Sequence, residues 1–239
     1  MDNFNQQYAQ YKPVEASFAT AETRKFLLHV YNWMAMGLAL TGVIAYGVST
    51  SETLLRFIVM NPFIFYGLLI LQFVVVIAMS AAIKKMPSIV AVGAFFLYAF
   101  LTGLTFSILF LIYTSASISY TFFICAAMFG SVSVFGYITR MNLDGVGTFM
   151  VMGLIGLIIA SVVNLFLQNE MLYWMISYLG VLIFVGLTAW DTQKIKKMAQ
   201  VTSFETEEGK KVAIMGALTL YLDFINMFLF LLRIMGNRR

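Results

Sequence analysis

Seven stretches of the chain are continuously apolar for about twenty residues, and short polar segments separate them. They run over Phe26–Val48, Pro62–Ile83, Ser88–Ile112, Ile118–Ile138, Val146–Leu167, Met171–Trp190 and Val212–Met235. At about 1.5 Å rise per residue, about twenty helical residues cover the ~30 Å hydrocarbon core of a bilayer. None of the stretches alternates apolar and polar positions in the way a membrane barrel strand must. The pattern therefore predicts an all-α polytopic membrane protein with seven transmembrane helices, each satisfying its own backbone hydrogen bonds. Most connections are very short, such as Gln168–Glu170, so sequence neighbours are expected to be antiparallel and adjacent. One long connection, Asp191–Lys211, is expected between the sixth and seventh spans. The chain divides into a polar head, 1–25, expected as a mobile tail, and a transmembrane domain, 26–239. The head holds no short apolar core before a small-residue cleavage site, so the first span is expected to act as the insertion signal.

Composition strengthens this picture. Of 239 residues 61% are hydrophobic and only 11% charged, against about a quarter charged in soluble domains. The net charge of +4 does not point to nucleic acid, because the basic residues sit in the segments between apolar runs, where they encode topology. One side of the membrane receives Lys12, Arg24, Lys25, Lys84, Lys85, Arg140, Lys194, Lys196, Lys197, Lys210 and Lys211, and the other only Arg56, Arg233, Arg238 and Arg239. The N-terminus is therefore expected in the cytoplasm and the C-terminus outside, although the terminal Gly236–Arg239 segment, with its two arginines, runs against that bias. The single cysteine, Cys125, excludes an internal disulfide and is expected as a small packing residue. The single histidine, His29, excludes a histidine-based metal site and is expected at the membrane interface. Small residues such as Gly103, Gly130, Gly136, Gly153 and Gly156 are expected at helix–helix contacts. The 16 methionines are expected as apolar filler.

Candidate chemistry is confined to two acids. Nine of the eleven Asp and Glu residues fall in tails or loops. Asp223 lies inside the seventh span, and Asp191 lies at the cytoplasmic end of the sixth. An ionised carboxylate near the bilayer centre costs roughly 2.5–3.5 kcal/mol on insertion scales, so Asp223 must face protein or water and have a partner. Arg233 is about 15 Å further along the same helix, too far to pair with it directly. The candidates are Asn226, three residues on along the same face, a neighbouring hydroxyl, or Asp191. Two aspartates in a dry site would share a proton and titrate as a unit, closed while the proton is shared and weakened when both ionise. They could also attract Ca²⁺, but a tight calcium site takes six to eight oxygens, so two carboxylates make a weak, transient one. An intramembrane aspartyl protease is disfavoured, because Leu220, Tyr221 and Leu222 replace the Gly-x-Gly before its second aspartate. No lysine lies within the last span to form a retinal Schiff base, and no phosphate loop, nucleophile elbow or zinc motif occurs. No enzyme activity and no cofactor are expected.

The runs "IFVGLTAWDTQKIKKM" and "MGALTLYLDFINMFLFLLRIMGNRR" resemble the transmembrane Bax-inhibitor motif family, in its bacterial inner-membrane branch. "FLTGLTFSILFLIYT" and "GSVSVFGYITRMNLDGVG" fit the same branch, and the resemblance covers roughly residues 24–239. It implies a last helix at the centre, wrapped by the first six as two groups of three. It implies a pH-sensitive calcium leak gated by an aspartate pair, which by motif is Asp191 and Asp223. It also implies a basic latch after the second span, here Lys84 and Lys85, which are point charges without arginine's fork. A span-two position that is acidic in a leaking relative corresponds approximately to Gln72, a pore-facing candidate whose neutrality implies a weaker pull on cations. The alternative implied by other relatives is a non-transporting protein that binds membrane lipid and a membrane protease and modulates it or a stress response.

Overall fold

The computed structural model describes residues 2–239, with side chains described from Ala21 onward. The mobile tail expected over 1–25 thus falls almost wholly outside the described side chains. The helices are α1 (Asp2–Thr50), α2 (Glu52–Val59), α3 (Pro62–Ala82), α4 (Ser88–Phe106), α5 (Leu109–Ile112), α6 (Ser115–Ile138), α7 (Asp144–Leu167), α8 (Glu170–Ala199) and α9 (Glu207–Met235). Seven segments among the described residues are long and apolar enough to cross a membrane, with Ala21–Thr50 as the crossing part of α1 and α4 plus α5 forming one span.

One expectation is corrected and two features are added. The third span breaks at Ser107–Ile108, where backbone bonds change from four-residue to three-residue spacing before α5. The expected long connection Asp191–Lys211 shrinks to 200–206, because α8 runs on to Ala199 and α9 starts at Glu207. The segment after Trp190 stays helical because Thr192, Ile195 and Ala199 repeat at three- and four-residue spacing and are buried, while Lys194, Lys196 and Lys197 fall on the other faces. Finally, an amphipathic helix of about two turns, α2, follows the first span and buries Leu55 and Ile58.

α9 is the axis of the bundle. Two thirds of its apolar window is buried, against 6% for α3 and for α7. α1, α3 and α4 pack as one group, α6, α7 and α8 as a second, and α9 lies between them against α8, α1, α6 and α4. Small residues on its first half, Gly209, Ala213, Gly216 and Ala217, let neighbouring backbones approach. Its Glu207 carboxylate accepts bonds from the Ser88 backbone N–H and hydroxyl, which pins the start of α9 to the start of α4.

Tyr221 ties the centre to the first group. Its ring stands edge-on to Phe95 and Tyr98, each at 5.8 Å between centroids. Its hydroxyl lies 2.6 Å from Thr41 Oγ1, and Thr41 Oγ1 donates to the Ala99 carbonyl at 2.9 Å. Thr41 has one hydroxyl proton, so Tyr221 must donate its own, giving a chain from α9 through α1 to α4. Tyr221→Phe is expected to cost about 1 kcal/mol, seen as a lower unfolding midpoint in detergent. An unchanged midpoint would show that this chain adds nothing to stability.

The C-terminal residues are held rather than loose. Thr114 N donates to Asn237 O at 3.1 Å, Arg239 N donates to Ile112 O at 2.9 Å, and Asn237 N donates to Ser117 Oγ at 3.0 Å. The segment carrying two arginines is therefore clipped beside the turn between α5 and α6.

Candidate functional site

Asp191 sits on α8 two turns before its end and is 7% exposed, and Asp223 sits on α9 and is 4% exposed. The helices close on each other where Gly216 of α9 faces Ile195 of α8, leaving 3.3 Å between an added Cβ and the Ile195 side chain. Asp191 is the acid that acts electrostatically on Asp223. The cation acting on Asp191 is Lys194, one turn along the same helix. Asp223 Oδ2 is buried and accepts no hydrogen bond among the described residues. A buried carboxyl oxygen without a donor is costly if charged.

Two cavities approach the pair from opposite ends of the bundle. The first, about 680 Å³, is lined by Asp191, Lys84, Lys194, Lys211, Glu208 and Thr219 among others. Lys84 thus shares a cavity with Asp191, and its carbonyl accepts a 3.4 Å bond from Lys211 Nζ. No ion pair joins Lys84 or Lys85 to Asp191 among the described residues, and Lys85 is not part of the cavity wall. The second cavity, about 610 Å³, is lined by Gln72, Tyr98, Thr105, Asn226 and Arg233 with apolar neighbours. Gln72 Nε2 donates weakly to Leu101 O and Thr105 Oγ1, both at 3.4 Å.

Asn226, expected as a partner of Asp223, is spent elsewhere: its Nδ2 donates to the Leu222 carbonyl at 2.8 Å. The amide is folded back on its own helix and faces the second cavity, because a side chain buried in apolar surroundings takes the nearest backbone acceptor. His29 bonds the Lys25 carbonyl through Nδ1 at 2.8 Å and stacks on Phe204. Cys125 is fully buried against the Phe224 carbonyl.

The two cavities follow one face of α9. Glu208, Val212, Met215 and Thr219 line the first, and Leu222, Asn226, Leu229 and Arg233 line the second. Steps of four and three residues keep all eight on one side of the helix. Asp223 lies beside the junction between Thr219 and Leu222. The α3 side repeats the arrangement: Gln72 and Val76 of α3 line the second cavity, and Ile83 and Lys84, in the turn that ends it, line the first. Between them stands Met79, 1% exposed and the one buried residue of α3. Sequence reasoning missed Met79 because it was one methionine among 16. Its spacing from Gln72, Val76 and Ile83 was the available signal.

The molecule is a seven-helix membrane protein built around a central helix that carries a buried carboxylate, with a second buried carboxylate on the helix packed against it. Residues 23–239 match the family model described as "Inhibitor of apoptosis-promoting Bax1", and the chain belongs to that Bax inhibitor family. It is similar to "Inner membrane protein YbhL" of Escherichia coli (strain K12), 47% identical over 220 residues, which cover 92% of this chain and 94% of the relative. It is also similar to "Uncharacterized protein RP147" of Rickettsia prowazekii, 46% identical over 90% of this chain and 91% of that one. A Deinococcus radiodurans protein is 39% identical, with 91% and 92% covered. These likenesses and the seven apolar helices make this a multi-pass inner-membrane protein.

Proposed function

We propose that the protein is a proton-sensitive leak for calcium across an inner membrane, with its N-terminus in the cytoplasm. The observation that carries the reading is the interrupted path: two cavities, each with polar groups set in a mainly apolar wall, run along one face of α9 and stop a turn apart, with Asp223 beside the break and Asp191 on the wall of the first. Calcium prefers oxygen ligands and needs six to eight for tight binding, so two carboxylates suit transit rather than storage. Gln72 and Asn226 supply polar groups to the second cavity. The orientation rests on the eleven Lys and Arg residues on the N-terminal side against four on the other.

While the carboxyls share a proton, α8 and α9 stay joined. As pH rises and both ionise, two like charges stand in a site of low dielectric, where their repulsion is far stronger than in water. The sign follows: raised pH opens the break, and lowered pH closes it. Lys84, Lys194 and Lys211 bring positive charge to the first cavity, on whose wall Asp191 stands.

The test is calcium entry into calcium-free vesicles holding the reconstituted protein, followed against pH, with Asp223→Asn alongside. Flux is expected to rise with pH in the parent and to lose that dependence in the variant. Flux absent at every pH, or the same pH profile in Asp223→Asn, would sink the leak.

A further inference from the structure

At the end of the bundle opposite the α8–α9 loop lies a larger cavity of about 1010 Å³, walled by α7, α8, α9 and the C-terminal residues. Arg233 and Arg238 both reach it. They are two of the four cations that topology places on that side, and a third, Arg56, is paired with Glu52 at 2.7 Å. Neither Arg233 nor Arg238 forms an ion pair among the described residues. Both guanidiniums are instead held over the Tyr173 ring, at 5.7 and 5.8 Å from its centroid. Arg238 also donates to the Tyr173 hydroxyl at 2.9 Å. The backbone clip to residues 112–117 holds Arg238 in place.

The rest of the polar lining is rich in donors. Asn164 Oδ1 accepts from Asn169 N at 3.0 Å, and Asn169 Oδ1 accepts from Leu172 N at 2.9 Å. Because backbone N–H groups occupy both oxygens, the two amide groups are oriented with their NH₂ ends unspent among the described residues. Gln168, with φ of 48°, caps α7 in the left-handed region and turns the chain tightly into α8, bringing these residues to one lip. One carboxylate, Glu170, faces the same cavity, against two guanidiniums. Planar guanidinium forks match phosphate oxygens two at a time.

We propose that this cavity binds the phosphate of an anionic phospholipid headgroup. A lipid is favoured over free phosphate by the walls. Leu165 and Trp174 line the cavity and are exposed, and Tyr173 and Trp174 stand at the start of a spanning helix, where aromatic residues favour the membrane interface. The site also explains why two arginines are kept on the side that the charge bias disfavours. It does not depend on the calcium reading, since it lies beyond the carboxylate pair and binds an anion.

The experiment counts phosphatidylglycerol retained by the purified full-length protein, using native mass spectrometry, against phosphatidylcholine as the zwitterionic control. The parent is expected to retain phosphatidylglycerol selectively. Arg233→Gln/Arg238→Gln should lower its occupancy roughly tenfold or more, from the loss of charge-assisted bonds. Arg238→Lys keeps the charge but not the fork and should fall between. Unfolding midpoints in phosphatidylcholine show that each variant is folded. Undiminished phosphatidylglycerol retention in the folded double variant would overturn the proposal, as would displacement of the lipid by inorganic phosphate alone.

Discussion

Gly136→Ala is expected to destabilise the protein, while Gly130→Ala in the same helix leaves it unchanged or slightly more stable. An ideal Cβ on Gly136 would sit 2.4 Å from the Ala189 carbonyl oxygen and 3.1 Å from its C and Cα, all backbone atoms of α8. No rotamer change can relieve that contact, so α6 and α8 must separate. Overpacking of this kind costs about 1–3 kcal/mol. At Gly130 an added Cβ meets nothing within 4 Å, and replacing a mid-helix glycine gains roughly 0.5–1 kcal/mol. Thermal unfolding of both variants in one detergent should separate them by about 1.5–4 kcal/mol. Equal midpoints would mean that α6 and α8 do not touch at Gly136. Ala189 is two residues before Asp191, so the displacement also reaches the carboxylate pair. Gly136→Ala should therefore disturb the pH profile of any flux, and Gly130→Ala should not.

This contrast shows what was legible in the sequence and what was not. The seven apolar runs were legible because a bilayer sets their length, and Asp223 because a charge in such a run has few explanations. Gly130 and Gly136 looked alike in sequence, since small residues signal close contact without naming the partner. The course of α8 past Asp191 was hidden under polar composition: a run with Lys194, Lys196 and Lys197 reads as a loop until the buried Thr192, Ile195 and Ala199 are seen to share a face. That extension carries α8 and α9 beyond the membrane boundary that hydropathy alone suggested. Asn226 was misassigned for a different reason. Helical spacing put it beside Asp223, but spacing does not say whether an amide turns to its neighbour or to its own backbone, and here it bonds Leu222. The cavities were not legible at all, because they depend on how α3 leans against α4 and leaves space beside α9.

Met79→Ala is expected to raise calcium flux and to weaken its dependence on pH. Met79 stands in sequence between Val76, which lines the second cavity, and Ile83, which lines the first, and is 1% exposed, while most of α3 faces outward. Removing its side chain would join the cavities on the α3 side, bypassing the break at Asp223. Truncating a buried methionine costs about 2–5 kcal/mol if the space stays empty, so the variant is compared at a temperature well below its own midpoint. Met79→Leu conserves volume and should cost less than about 1.5 kcal/mol, leaving flux near the parent's. Asp223→Asn acts differently: it leaves the apolar septum intact and removes one titrating partner, so pH dependence is lost without a large gain in flux. The double variant, Met79→Ala with Asp223→Asn, should then behave like Met79→Ala alone, since a path that no longer passes the carboxylates does not sense their charge. Flux unchanged in folded Met79→Ala would place the barrier elsewhere than between α3 and α9, and a steep pH profile retained in that variant would show that every open path still runs past Asp191 and Asp223.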